Sequence, residues 1–211
     1  MNRLFSLDSK LMRILNIVAD YAILNVFFLI TSIPIFTIGA SKAALYRVMF
    51  DMLEGEDAKM YTRYFKTFAR EFKAATPLFL LKGLVLALIA YSLFLATHNE
   101  IPFKQATVIA LVVVLAVWAM LFTTLFIQVS LFSSTFAQYF KNCIYILLTH
   151  PIKSLITAVM DVIPLVLLLQ PDIMGMLGPV WLFFYFSVTA NVSARVWKKP
   201  FDGYLEQAQA E

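Results

Sequence analysis

The chain has 211 residues, of which 61% are hydrophobic and 14% charged, and its mean hydropathy is +0.80. A soluble domain carries about a quarter charged residues, so this composition excludes an ordinary soluble fold and points to an integral membrane protein in contact with the lipid bilayer. The formal net charge is +4, and no nucleic-acid partner is expected.

The N-terminal region places basic residues before an apolar run and an "SKA" string after it, which is the outline of a signal peptide. The run extends over 18 residues, 21 to 38, and the region before it contains Asp8 and Asp20, so it is taken as a retained membrane helix. Then comes "SIPIFTIGASKAALYRVM", where large apolar residues give way to small ones and Lys42 and Arg47 enter. Gly39, Ala40, Ala43 and Ala44 suit a helix that approaches another backbone closely, and the two cations suit a cytoplasmic boundary, so the stretch reads as a tight exit from the membrane. An ordinary loop of small residues is the other reading. "DMLEGEDAK" follows as a solvated turn around Gly55.

Residues 61–76, "YTRYFKTFAREFKAAT", place Tyr61, Tyr64, Phe65, Phe68 and Phe72 on one helical face and Arg63, Lys66, Arg70 and Lys73 on the other. Two readings fit this cationic amphipathic helix. It lies at the lipid surface with its cations against anionic headgroups, or it docks a partner protein. With the preceding helix it forms an expected cytoplasmic hairpin over residues 41–76.

Further spans are expected at 77–97, 106–129 and 176–194, with a shorter one at 154–170 that carries Asp161. The apolar stretch 129–153 is broken by Gln138, Lys141 and Asn142 and reads as a helix lying along or packed into the bundle. The fold class is therefore all-α, a single membrane domain of about five transmembrane helices. With five spans, 12 of 16 basic residues fall on one side, which the positive-inside rule makes cytoplasmic. That leaves Arg3, Lys10 and Arg13 outside, a conflict that disappears if the first element enters from the cytoplasm, breaks near Pro34 and returns.

No GxxxxGK[ST], GxGxxG, GxSxG or HExxH string occurs, so no enzyme, no catalytic residue and no cofactor is expected. The single cysteine, Cys143, excludes an intrachain disulfide and a thiolate metal cluster, while His98 and His150 have no companion at ligand spacing. Asp161, in "AVMDVIPLV", is the polar residue that demands an account, because a charge at mid-span costs at least about 2.5 kcal/mol. It is protonated, or paired with a group such as Lys82, Asn191 or Arg195, or it caps a segment beginning just before Pro164 or faces a partner subunit. Were it neutral, Asp161→Asn would be tolerated. Asn16, Asn25 and Asn191 are candidates for hydrogen bonds between helices, and Trp197 suits the inner interface.

The combination "LNVFFLITSIPIFTIGASKAALYRVM" and "YFKTFAREFKAATPLFL" resembles the YesL-like family of small integral membrane proteins of Gram-positive bacteria. Asn25, Pro34, Thr37, Gly39, Ala43, Ala44, Leu45, Tyr46, Phe65, Phe68 and Phe72 occupy the family's recurring positions. The likeness is specific over residues 24–79, and it departs at Ala40, where the family usually has proline. Such proteins are commonly encoded beside carbohydrate ABC importers and polysaccharide-degrading enzymes. The resemblance thus implies an accessory subunit or assembly factor in oligosaccharide uptake, with permease subunits as partners. A stand-alone solute carrier and a membrane-bound sensor are the alternatives.

Overall fold

The computed structural model describes residues 10–56, 59–99, 102–168, 178 and 181–210, and every regular element among them is helical. In chain order these are α1 (Lys10–Thr31), α2 (Ile38–Leu53), α3 (Met60–His98), α4 (Lys104–Leu131), α5 (Phe136–Thr149), α6 (Pro151–Leu168) and α7 (Phe186–Ala210). A π-helical turn, Trp181–Tyr185, leads into α7.

The first helix ends at Thr31, short of the expected residue 38, because Pro34 cannot extend the bonding ladder. The Thr37 hydroxyl donates to the carbonyls of Pro34 (2.6 Å) and Thr31, closing a short 3-10 turn over Ile35–Thr37. The chain then reverses into α2. The break near Pro34 is therefore a return, and the basic start of α1 lies toward the same end of the molecule as the turn around Gly55. Contacts fix that end: Tyr61 donates to Asp20 (2.7 Å), Lys198 donates to the Leu53 carbonyl (3.1 Å), and Phe132 meets Phe201.

The centre of the bundle is α2, which packs against α1, α3, α4 and α7. Ala40, Ala43 and Ala44 are fully buried, and so are Val48 and Met49. Small side chains on several sides of one helix let several neighbours reach its backbone together, which a ring of large residues would prevent. Ala40 falls in the first turn of α2, the one part of a helix where proline is also tolerated.

The described residues do not confirm the expected count of about five spans. Among the described residues three helices, α1, α3 and α4, are long and apolar enough to cross a bilayer, and a fourth crossing exists only if α5 and α6, bent by 110°, are one broken span. The expected span at 176–194 lies partly outside the described residues, and its continuous described part, from Trp181, begins with the π-helical turn. Nor is 61–76 a separate short helix. It continues through Pro77 into the apolar segment as one helix of 39 residues, about 58 Å, nearly twice a hydrocarbon core of about 30 Å. Beyond Pro77, α3 and α4 form an antiparallel hairpin that exposes Leu84, Leu88, Tyr91, Phe94, Ile109 and Val113. Large apolar side chains presented outward over this length are what lipid-facing helices require.

This arrangement gathers the cations of α1, the Gly55 turn and α7 at one end and leaves Lys104 at the opposite tip of the hairpin. The positive-inside rule then predicts a topology in which Arg13→Cys, Glu56→Cys and Lys199→Cys resist an impermeant thiol reagent on intact cells, whereas Lys104→Cys reacts. Native Cys143 is buried and does not compete. Labelling at positions 56 and 199 with protection at 104 would invert the orientation.

Candidate functional site

Lys42 on α2 pairs with Asp161 on α6, and Thr123 on α4 donates to the same carboxylate oxygen at 2.9 Å. Three helices distant in sequence thus meet at one largely buried charge, the Asp161 side chain being 13% exposed. Helix α6 runs on through Pro164 to Leu168, so Asp161 does not cap a segment starting there. Its partner is Lys42, which the sequence placed at a membrane boundary. Arg195 donates instead to Asn191 (2.8 Å), one turn away on α7, and the Asn191 amide faces the Met49 sulfur. Spacing along the chain gives no signal for the Lys42–Asp161 pair, whose members stand 119 residues apart.

Lys82 completes the cluster. It forms no ion pair with a carboxylate among the described residues, and its ammonium lies 5.8 Å from the centre of the Phe126 ring, a cation–π contact. Two lysines beside one aspartate leave an excess positive charge at this point.

Two spaces adjoin the cluster. One, lined by Phe28, Lys42, Leu45, Tyr46, Asp161 and Phe186, has a volume of about 10 Å³, room for a single water. The other, about 540 Å³, is an open groove between α3, α4 and α6. Its polar wall is Lys82, Thr123 and Asp161, and the remainder is apolar, including Leu86, Val112, Leu115, Ala116 and Val159.

The structure gives the other sequence-selected residues specific places. Gly39 faces α3 and α4 so closely that an added Cβ would lie 2.7 Å from the Ala75 carbonyl oxygen. Asn25 joins α1 to the start of α7, donating to the Leu182 carbonyl (2.5 Å) and accepting from the Ser187 amide (3.0 Å). It thereby satisfies backbone groups at a π-helical turn, where the normal ladder is interrupted. Trp197 is fully buried, so its ring does not face lipid; it stacks near His150.

Part of the aromatic face of 61–76 packs inside the protein. Phe27 of α1 packs against Tyr61, Tyr64 and Phe65, while Phe72 meets Phe36, so these rings bind α1 and the Pro34 turn to α3. Phe68 packs beside Phe72. On the basic face, Arg63 bridges buried Asp51 (2.9 Å) and Glu56 (2.7 Å) across the turn, and Arg70 pairs with Glu71. Arg47 also reaches Asp51 (3.0 Å). Lys66 and Lys73 stand exposed. Of the four expected surface cations, Arg63 therefore braces the hairpin, since removing it would leave the Asp51 carboxylate with one cation where it now has two.

The exposed apolar helices, the largely buried ion pair between α2 and α6 and the polar links between helices point to a helical integral membrane protein. Residues 21–93 match the model of a family described as "Protein of unknown function, DUF624". The match takes in α2, both arms of its hairpin with α3, and Lys42 and Lys82 of the charged cluster; Thr123 and Asp161 lie beyond it. No curated protein and no solved structure matches the chain.

Proposed function

We propose that this chain is a non-enzymatic accessory subunit or assembly factor of a carbohydrate importer of the ATP-binding-cassette class, in the cell membrane of a Gram-positive bacterium. The YesL-like resemblance over residues 24–79 supports this reading, and YesL-like proteins belong to the family that residues 21–93 match. The observation that carries it against a solute carrier is the state of the Asp161 charge. Asp161 is bound internally by Lys42 and Thr123, and of the two spaces beside them the one that adjoins Lys42 holds no more than a water. The large groove presents three polar side chains on an apolar wall, whereas a sugar leaving water needs partners for many hydroxyl groups. A protein that neither hydrolyses nucleotide nor encloses the sugar contributes to uptake by holding other subunits.

Affinity purification of the full chain from its native membrane in mild detergent, followed by mass spectrometry, tests this. Permease subunits of a carbohydrate importer are the expected co-purifying proteins. A chain recovered alone would favour the carrier, and a soluble regulator in their place would favour a sensor; either would displace the proposal.

A further inference from the structure

The groove between α3, α4 and α6 combines features that the accessory reading does not use. Its lining along α4 runs from Thr123, bonded to Asp161, to Val112, a distance of about 16 Å at about 1.5 Å per residue. Half of a hydrocarbon core of about 30 Å is about 15 Å, so the groove is as long as one leaflet is deep. Its apolar wall ends at Lys82, a cation with no carboxylate partner among the described residues. Charge excess and apolar length therefore lie side by side, in the order in which a phospholipid carries its phosphate and its acyl chain.

We infer that this groove is a binding site for an anionic phospholipid, with one acyl chain along α4 and the phosphate against Lys82. Lys42 is held by Asp161 and Thr123 fixes that carboxylate, so the pair keeps Asp161 from neutralising Lys82. A zwitterionic lipid gains the same apolar contact but brings its own cation toward the ammonium. The preference for the anionic lipid thus rests on Lys82, and the affinity for any lipid chain rests on the groove. Trp118 lines the wall and reports occupancy.

The test uses the full chain reconstituted in phosphatidylcholine vesicles that contain increasing fractions of phosphatidylglycerol brominated on its chains, with brominated phosphatidylcholine as the parallel series. Subtracting the signal of Trp118→Phe isolates Trp118 fluorescence. One favourable charge at a lipid surface corresponds to about a fivefold preference, so brominated phosphatidylglycerol is expected to quench Trp118 at about one fifth of the fraction that brominated phosphatidylcholine requires. Lys82→Gln should abolish that preference while quenching by phosphatidylcholine persists. Lys82→Arg should keep it, which guards against misreading a folding defect. Lys73→Gln, a change at an exposed cation on the same helix, should leave the preference intact. Equal quenching by the two lipids in the unmodified chain, a preference that survives Lys82→Gln, or an equal loss in Lys73→Gln would each overturn the assignment. So would the absence of quenching by either lipid, which would mean that protein fills the groove.

Discussion

Gly39→Leu is expected to prevent α2 from seating in the bundle. A Cβ at this position would stand 2.7 Å from the Ala75 carbonyl oxygen and 2.9 Å from both the Phe126 ring and the Phe79 Cβ. Two of those three atoms belong to or adjoin the α3 backbone and cannot move aside as a side-chain tip does. Overpacking typically costs about 1 to 3 kcal/mol, and leucine adds three more carbons beyond the one that already collides. Gly39→Ala should lower the thermal midpoint in micelles measurably, and Gly39→Leu should lower it further or abolish the monodisperse species on gel filtration. Ala44→Leu should behave like Gly39→Leu, because Ala44 is fully enclosed. If Gly39→Leu and Ala44→Leu both purify and melt like the unmodified protein, the close packing of α2 is not what holds the hairpin in place.

The second large effect is expected from the charge at the α2–α4–α6 junction. Removing one member of a buried ion pair typically costs about 3 to 5 kcal/mol, because the other is left uncompensated in a poor solvent for charge. Asp161→Ala should cost about that much, aggravated by Lys82, which would then face Lys42 with no carboxylate between them. Asp161→Asn keeps the shape and an acceptor for Thr123 but not the charge, so it too should destabilise, contrary to what a neutral Asp161 would allow. The double change Lys42→Met with Asp161→Leu removes both charges and should recover most of the loss, since replacing a whole buried pair by apolar groups is often neutral or favourable. Unfolding of the three variants in mixed micelles gives the comparison. A double variant no better than Asp161→Ala would show that the pair does not account for the loss.

What could be read before the structure was whatever depends on composition and on near neighbours. Solvation decides membrane residence, and 61% apolar residues leave no soluble alternative. Helical architecture follows from the length of the apolar runs, since about 20 residues cross the core as a helix that satisfies its own backbone groups, whereas a barrel strand needs only about 10. The small residues from Gly39 to Ala44 signal a close approach because their volume is fixed by chemistry alone, and Pro34 signals a break because it lacks an amide hydrogen. The amphipathic pattern of 61–76 also follows from helical geometry, but a pattern names a face and not its occupant. Here the occupants are α1 and the Pro34 turn, which leave Phe65 about half exposed.

The tertiary structure decided everything that depends on which helices meet. Asp161 pairs with Lys42, 119 residues away, because α2 returns into the bundle after Pro34 and lies between α1, α3, α4 and α7. The same return sets the basic start of α1 at the end of the Gly55 turn, and so removes the conflict among the charges that a five-span count creates. Span number is not set by hydropathy alone, which responds equally to burial in protein and in lipid: among the described residues α5 and α6 make a crossing only if they are one span broken by their bend of 110°. The groove beside Lys82 has no sequence signal at all, for it is formed where α3 and α6 pack on α4 and leave space between them.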